Sequence, residues 1–269
     1  LKIKNKNQIA PASTRLRLFS QVYGFLVLRN RVQSEPVTVL VDKWPKFRVI
    51  VCKPSYEKSD VFKDILIFAS DATILEETIR IPSVIEWSRY LCIGNALLLL
   101  LLKNKNIVSS KKQVYHKAFF YSACFSLSLR FSSGFSLSSL SESHLDLVNQ
   151  TWKFGKHPGT LGMIRNMIAH FPSRCVLDPE GRPVSWILTY ACCAMGMLYT
   201  LPEHRGRGYA KALIGSMART LKAQGYPVFC FVEEENAVSY HFYSEIQMCL
   251  DFTNIYLSLS TKKNTIRKC

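Results

Sequence analysis

The clearest pattern of apolar and polar positions lies in the last part of the chain, from Ser143 to Leu259. Stretches in which apolar residues recur every three to four positions predict helices, and short apolar runs predict strands. The resulting order is α-α-β-β-β-α-β-α-β. The Asp-Pro-Glu-Gly string at 178–181 predicts a hairpin turn between the first two strands. The strand-helix-strand unit after Met195 is expected to be parallel and right-handed.

Several of these elements have recognisable ends. The second helix is expected to end before Pro172. The amphipathic helix 208–224 is expected to close at Gly225, and the last helix is expected to start at Asn236, which is a good N-cap residue. Strands are predicted at 191–201, 226–235 and 252–260.

The first part of the chain, to about residue 108, has a weaker pattern. Residues 37–54 alternate β-branched and polar side chains around a Lys-Trp-Pro turn and predict two antiparallel strands. Helical spacing follows up to Pro82 and resumes after it. The apolar run from Tyr90 to Leu102 is shorter than the roughly 20 residues that span a bilayer. It predicts a buried helix, with a membrane-associated segment as the alternative, and no integral membrane span is expected.

The middle of the chain is rich in Ser, Phe and Leu and lacks a helical period. We interpret it as an insertion or linker, or as sequence foreign to the ancestral domain. The predicted organisation is therefore an N-terminal domain at 1–108, a Ser-rich segment at 109–142 and a C-terminal domain at 143–269.

The charge points to anionic partners in general. Lys and Arg number 35 against 19 Asp and Glu, a formal charge of +16. Nucleic acid, a membrane surface and an anionic small ligand all fit this charge. The basic residues are scattered and accompany no recognisable nucleic-acid module, so nucleic-acid binding is not expected.

The cysteines indicate a reducing compartment. There are nine, without a Cys-x-x-Cys pair, which argues against a disulfide framework and against a zinc site, and no metal is expected. The first 34 residues contain no acid, several Lys and Arg, and Ser and Thr, a composition similar to that of transit peptides. A truncated or wrongly assigned start is the alternative explanation.

The string from Tyr199 to Leu213, "YTLPEHRGRGYAKAL", predicts an anion site. A strand ends at Leu201, and a helix starts near Gly208 with unpaired N–H groups in its first turn. Arg205 and Arg207 add guanidinium groups suited to phosphate. No Walker loop is present, and the dinucleotide fingerprint fails because Lys211 stands where its third glycine would be.

Arg205, Gly208 and Ala210 form an R-x-x-G-x-A string that resembles the pyrophosphate loop of the GNAT superfamily of N-acetyltransferases. The helix from Asn236 to Tyr243 also resembles that superfamily. The resemblance implies an α/β (α+β) fold with a central mixed sheet flanked by helices, and a loop that binds coenzyme A. The cofactor-binding residues it implies are Leu198, Tyr199, Thr200, Arg205, Gly206, Arg207, Gly208, Tyr209, Ala210 and Asn236.

Longer strings are similar to the glycine N-acyltransferase family, including its glycine N-acyltransferase-like members. They include "FPSRCVLDPEGRPVSW" and, near the start, "VTVLVDKWPKFRVIV". This resemblance implies a degenerate N-terminal half of related fold. It also implies transfer of an acyl group from acyl-CoA to the amino group of glycine, or of glutamine in some members. A mitochondrial location and a monomer that uses small-molecule substrates are expected.

The same resemblance locates the catalytic candidates. Where family members closest to glycine N-acyltransferase carry a glutamate before the first Met of the strand, this chain has Ala194, which accepts no proton. Tyr243 is a candidate general acid, or else a core aromatic. Glu233 is a candidate substitute base, or else a charged strand end. His204 is expected at the surface. Two alternatives stay open: a GNAT acetyltransferase acting on protein lysines or polyamines, and a non-catalytic coenzyme A-binding remnant.

Overall fold

A computed structural model describes residues 2–4, 20–32, 37–43, 46–54, 64–84, 91–94, 113–122, 134–156, 158–233, 235–246 and 249–261. Within them the helices are α1 (Ser20–Arg31), α2 (Ala72–Ile79), α3 (Leu145–Thr151), α4 (Pro158–His170), α5 (Tyr209–Ala223) and α6 (Ala237–Glu245). The strands are β1 (Lys2–Lys4), β2 (Val37–Val41), β3 (Val49–Pro54), β4 (Asp64–Ala69), β5 (Leu91–Gly94), β6 (Gln113–Ser122), β7 (Ser136–Ser138), β8 (Ser173–Leu177), β9 (Pro183–Thr189), β10 (Met195–Thr200), β11 (Phe229–Glu233) and β12 (Cys249–Thr261).

All twelve strands join one sheet, in the order β1-β2-β3-β4-β5-β12-β6-β11-β10-β9-β8-β7. The pairs β4–β5 and β10–β11 are parallel, and the others are antiparallel. The predicted mixed sheet is therefore confirmed. Strand β12 pairs with both β5 and β6, so the C-terminal strand joins the two halves of the sheet.

The predictions for the C-terminal half are confirmed in most respects. Strands β8 and β9 form the expected hairpin, in which Asp178 Oδ1 accepts the N–H groups of Arg182 at 2.7 Å and Glu180 at 3.1 Å. Helix α5 lies against β8, β9 and β10. Its fully buried side chains are Leu213, Ile214, Met217 and Leu221. Each stabilises the fold by about 1.5–3 kcal/mol through burial.

Two predictions made from apolar runs are wrong, one about the type of an element and one about where a strand begins. Leu91–Gly94, within the run expected to be a buried helix, forms β5 between β4 and β12. A short apolar run is compatible with a strand and with a buried helix, and periodicity does not distinguish the two. Residues 95–102 lie outside the described residues. The strand expected at 191–201 begins only at Met195, because Tyr190–Ala194 forms a tight turn.

Part of the Ser-rich segment belongs to the sheet. Gln113–Ser122 forms β6, which pairs with β11 on one side and β12 on the other. These residues therefore form a strand inside the sheet. Residues 123–133 lie outside the described residues, and the division at 108 and 142 stays a prediction.

Helix α1, in the N-terminal half of the chain, packs against the C-terminal half. Phe25, Leu26 and Leu28 are buried, although they fall within the stretch of transit-like composition. Gly24 lies against the turn between β9 and β10, where a Cβ would come within 2.4 Å of the Cys192 carbonyl oxygen. Cys193 Sγ donates to the Gly24 carbonyl at 3.2 Å. In the described part of the chain, no helix has the length and apolar character that a membrane crossing requires.

Candidate functional site

The site is built around a bulge in β10. Gly196 pairs with Leu188 of β9 and Tyr199 pairs with Trp186, so Met197 and Leu198 together oppose the single residue Ile187. Met197 adopts a left-handed φ of 52°, which is uncommon for a residue with a side chain. Such conformations cost about 1–3 kcal/mol and concentrate at functional sites. The bulge turns the backbone N–H groups of β10 out of the regular pattern of hydrogen bonds between strands.

Strands β10 and β11 separate just where this bulge begins. Their described pairing consists of one register pair, Met195 with Cys230. Beyond that pair the edge of β10 that faces β11 offers its backbone N–H and carbonyl groups to a ligand instead of to a neighbouring strand. A linear amide such as the pantetheine arm of coenzyme A suits such an edge, because it has both donors and acceptors.

The carboxyl end of β10 leads into the glycine turn. Residues 202–204 form a short 3-10 turn, and Gly206 and Gly208 have φ values of 75° and 79°. A Cβ on either glycine would meet no atom within 4 Å, so the space above the turn is open. Gly208 is the N-cap of α5 and provides no side-chain cap. The N–H groups of the first turn of α5 thus face an open space with the positive end of the helix dipole.

Both arginines of the turn are exposed and bound to backbone oxygens. Arg205 Nε donates to the Thr200 carbonyl at 3.1 Å, and its guanidinium lies 5.6 Å from the centre of the Tyr199 ring. Arg207 Nη2 donates to the Glu203 carbonyl at 3.4 Å. Because a carbonyl carries no net charge, these contacts position the guanidinium groups without neutralising them. The arrangement can bind a diphosphate through backbone N–H groups and two flanking cations.

The other residues predicted to bind the cofactor lie around this turn. Tyr199 stacks on Trp186 with ring centres 5.4 Å apart, and Thr200 shares a 2.7 Å hydrogen bond with Ser185. Tyr209 is only 3% exposed and packs against Phe135, so its backbone rather than its side chain faces a phosphate. Ala210 follows in the first turn of α5, and Leu198 lies in the β10 bulge.

Asn236 lies at the start of α6. Its side chain accepts the Ser239 N–H at 3.1 Å and so caps the helix, as the sequence predicts. His204 is half-buried beside the glycine turn, with its ring 6.1 Å from that of Phe135. The Phe135 ring also packs against that of Tyr209, with ring centres 5.4 Å apart.

Tyr243 reaches the point where β10 and β11 separate. It lies on α6, is 6% exposed and bonds to the thiol of Cys230, the register partner of Met195. Burial, and then the neighbouring Cys230 and Tyr190, raise the pKa of Tyr243 well above its usual range. The phenol therefore stays protonated at neutral pH. Burial also raises the pKa of Cys230, to about 12, which keeps the thiol neutral.

Glu233 lies at the carboxyl end of β11 and is paired with a cation. Lys153, in the segment after α3, places its Nζ 2.5 Å from Glu233 Oε2. The Lys153 ammonium also lies over the Phe154 ring, 5.2 Å from its centre. Sequence reasoning missed Lys153 because no local pattern links it to a residue 80 positions away.

Ala194 is fully buried in the turn that precedes β10. Its carbonyl accepts the Tyr190 N–H at 2.8 Å, and its side chain is a methyl group without a proton acceptor. Sequence reasoning also missed Tyr190. The Tyr190 ring covers Gly196, where a Cβ would come within 2.1 Å of the ring carbon Cε2. Among the described residues, no group of His, Cys, Asp and Glu side chains is arranged to hold a metal ion.

Comparison with known proteins identifies the family. A family model described as aralkyl acyl-CoA:amino acid N-acyltransferase matches residues 18–172, and the model of its C-terminal region matches residues 174–254. Glycine N-acyltransferase from Bos taurus is 30% identical over 247 residues, which cover 81% of this chain and 83% of the relative. Glycine N-phenylacetyltransferase from Bos taurus is 29% identical over 245 residues, with the same coverage of 81% and 83%.

Solved structures agree on the fold. A Drosophila protein superposes with a TM-score of 0.80 at 15% identity, covering 97% of this chain and 98% of that chain. A GCN5-related N-acetyltransferase from Sphaerobacter thermophilus superposes with a TM-score of 0.54 at 14% identity, covering 97% and 94%. The chain therefore has a GNAT fold and belongs to the aralkyl acyl-CoA:amino acid N-acyltransferase family.

Proposed function

We propose that this chain transfers the acyl group of an acyl-CoA to the amino group of glycine. The observation that carries the proposal is the continuity of the site. The bulged edge of β10, open towards β11, leads directly into the exposed N–H groups at the start of α5. A diphosphate and an amide-containing arm together match this pair of features, and family membership supplies the acyl transfer.

The coenzyme A moiety would be bound by the backbone of the glycine turn and by β10. The first turn of α5, with Arg205 and Arg207, faces the space for the diphosphate. The N–H groups of the β10 bulge, at Met197 and Leu198, are the candidates to stabilise the negative charge that develops on the thioester oxygen. Donors of this kind are worth about 2.7–4 kcal/mol in the transition state of an acyl transfer.

The reaction forms a C–N bond, breaks the C–S bond and moves one proton off the nitrogen and one onto the sulfur. Tyr243 is our candidate to protonate the leaving thiolate, because its phenol is buried, protonated and next to the point where the strands separate. Ala194 provides no base, and the Glu233 carboxylate is bound to Lys153. We therefore assign removal of the amine proton to water rather than to a side chain.

The test is an acyl-transfer assay with purified protein. Acyl-CoA thioesters, from acetyl-CoA to benzoyl-CoA and phenylacetyl-CoA, are each mixed with glycine or glutamine, and N-acyl amino acids are measured by mass spectrometry. Formation of an N-acylglycine that depends on the protein supports the proposal. Acylation of peptide lysines or polyamines but of no amino acid would overturn it.

One observation favours a second candidate, a non-catalytic coenzyme A-binding protein. Ala194 places a buried methyl group where the family resemblance implies a glutamate. For this second function we expect calorimetry to show coenzyme A binding with a micromolar or lower Kd. We also expect no acylated product with any acceptor. Measuring binding and turnover on the same preparation separates the two functions.

The proposal includes a mitochondrial location and a monomeric protein, both implied by the family resemblance. Fractionation of cells that express the full-length gene product tests the location, and recovery outside the mitochondrial fraction would contradict it. Light scattering coupled to size-exclusion chromatography tests the oligomeric state, and a mass of twice that of one chain would contradict a monomer.

A further inference from the structure

The ring of Tyr190 occupies the space that a side chain at Gly196 of β10 would fill. Tyr190 opens the turn between β9 and β10, and its N–H bonds to the Ala194 carbonyl, which closes the turn at 2.8 Å. From there the ring extends over Gly196. A Cβ at Gly196 would lie 2.1 Å from Cε2 and 3.0 Å from Cζ of Tyr190, so only glycine at 196 permits this ring position.

The Tyr190 ring lies on the opposite side of the hairpin from α5. Thr189 Oγ1 points to Met217 of α5 at 3.8 Å, and successive side chains of a strand point to opposite faces. The Tyr190 ring covers the Cβ position of Gly196, which pairs with Leu188, the residue before Thr189, so the ring lies on the face away from α5. The ring is half-buried, so part of its surface is available to a ligand.

The order of features along β10 leads from the phosphate turn to this ring. The turn at 205–208 lies beyond the carboxyl end of β10, and the bulge at Met197 and Leu198 lies further back. If the diphosphate binds at the turn and the thioester oxygen at the bulge, the acyl group continues towards Gly196. The next side chain in that direction is the ring of Tyr190.

A second ring borders the same space from the other strand. Tyr243 bonds to Cys230 of β11, and Cys230 is the register partner of Met195, next to Gly196. Tyr190 is also close enough to Tyr243 to raise the pKa of its phenol. The two tyrosines thus approach each other where β10 and β11 join, and they narrow the end of the path left for an acyl group.

We propose that Tyr190, seated on Gly196, sets the size of the acyl group and makes this chain select short aliphatic acyl-CoA thioesters over aromatic ones. This specificity rests on the acyl-CoA site described under the proposed function. It narrows the substrate class, since a tyrosine ring on Gly196 leaves less room beyond the bulge for a phenyl group than for a short alkyl chain. On this proposal, acetyl, propionyl and butyryl groups should be accepted, because their chains end before or beside the ring.

The experiment compares wild type with a graded series at position 190. The readout is the ratio of kcat/KM for propionyl-CoA to kcat/KM for benzoyl-CoA at saturating glycine. Wild type is expected to favour propionyl-CoA by at least about tenfold, the discrimination that a change of pocket volume typically gives. Tyr190→Phe is the matched control, because it keeps the ring and removes only the hydroxyl, and it should keep the ratio within about twofold of wild type.

The smaller side chains should reverse the preference in order of volume. Tyr190→Leu should lower the ratio and Tyr190→Val should lower it further, to a preference for benzoyl-CoA. Tyr190→Leu keeps much of the buried apolar volume, so it remains informative if Tyr190→Val does not fold. Ratios that stay within twofold across Phe, Leu and Val variants would overturn the proposal, as would a wild type that prefers benzoyl-CoA.

The preference for small acyl groups can also be measured as a difference in binding affinity, without any acyl transfer. S-acetonyl-CoA and S-phenacyl-CoA are stable thioethers that place a methyl or a phenyl group beyond a carbonyl, and their Kd values are measured by calorimetry. Tighter binding of the acetonyl compound by wild type, with a smaller preference in Tyr190→Leu, supports the role of Tyr190 even if no acyl transfer is detected. Equal Kd ratios in wild type and Tyr190→Leu would overturn it, whereas absence of N-acylglycine overturns only the proposed reaction.

Discussion

The Lys153 ammonium lies 2.5 Å from the Glu233 carboxylate and joins the segment after α3 to the carboxyl end of β11. Strand β11 forms one side of the gap into which β10 opens. The segment after α3 leads into α4, on the same half of the chain as the site. The pair therefore fixes one border of the gap, and its carboxylate is held by a cation instead of facing a substrate alone.

We predict that Lys153→Met and Glu233→Gln lower kcat/KM by similar factors. Both variants remove the same salt bridge between the segment after α3 and β11. The double variant should therefore have a kcat/KM no lower than that of either single variant. The Lys153 side chain is 62% exposed, so the coupling energy in urea unfolding should be about 0.2–1 kcal/mol.

A catalytic base at Glu233 makes a different prediction for the same variants. Glu233→Gln would then lower kcat by roughly 100-fold or more, while Lys153→Met would leave a free carboxylate and most of the rate. Such an asymmetry would contradict a purely positioning role for this pair.

Gly208→Asp should weaken coenzyme A binding by at least about 100-fold. The new carboxylate would point into the open space at the start of α5 and repel the diphosphate. It would also displace N–H contacts that are worth about 1.5–3 kcal/mol each when the acceptor is charged. Calorimetry with coenzyme A measures the change, and unchanged Kd would contradict the location of the phosphate site.

Gly181→Asp is the matched control for Gly208→Asp. Gly181 has the same φ of 79°, and a Cβ there also meets nothing within 4 Å, but it lies in the β8–β9 turn. Both variants therefore impose the same strain on a left-handed backbone. Loss of binding in both would attribute the effect to destabilisation, whereas Gly208→Asn, which lacks the charge, should lose less affinity than Gly208→Asp.

Asp178 should make the folded chain sensitive to acid. Burial alone would raise its pKa, but hydrogen bonds from the Arg182 N–H and guanidinium, and the Arg182 charge, hold the pKa below its usual 3.8. The folded state therefore takes up this proton less readily than the unfolded state. The resulting stability is present above the usual pKa and is lost as the pH falls through the lower, folded value.

Urea unfolding of wild type and Asp178→Asn between about pH 5 and pH 2 measures this effect. Other carboxylates titrate in both proteins, so the difference between the two curves isolates Asp178. The gap in unfolding free energy should be largest at the upper end of this range and shrink as the pH falls. Parallel curves would contradict the assignment.

The local chemistry of the C-terminal half could be predicted from sequence, because its signals are short-range. The Asp178 turn, the glycine turn and the Asn236 cap each depend on residues within about five positions of one another. Strand β5 could not, since its four residues lie in a short apolar run that fits a strand and a buried helix equally well.

The residues that complete the site depend on register and on distant contacts. Tyr190 reaches Gly196 only because the β9–β10 turn begins at Tyr190 and not later, and the sequence pattern extended the strand through that turn. Lys153 meets Glu233 across 80 residues of chain. Neither contact has a sequence signal of its own, because each depends on the three-dimensional fold.

The contact of Gly24 with the β9–β10 turn yields the last prediction. An alanine at Gly24 would bring its Cβ to 2.4 Å from the Cys192 carbonyl oxygen and 2.9 Å from Pro227 Cγ. Overpacking of this kind costs about 1–3 kcal/mol, so Gly24→Ala should lower the unfolding free energy by that amount. Because the turn leads into Ala194 and β10, the same variant should also lower kcat/KM.

Gly162→Ala is the helix control, because Gly162 lies within α4 and a Cβ there meets nothing within 4 Å. Replacing a glycine inside an exposed helix should raise the unfolding free energy by roughly 0.5–1 kcal/mol. If Gly24→Ala lowers the unfolding free energy and Gly162→Ala raises it, the loss in Gly24→Ala is due to its contact with the β9–β10 turn. A stabilising Gly24→Ala would instead contradict the close packing of α1 against the turn between β9 and β10.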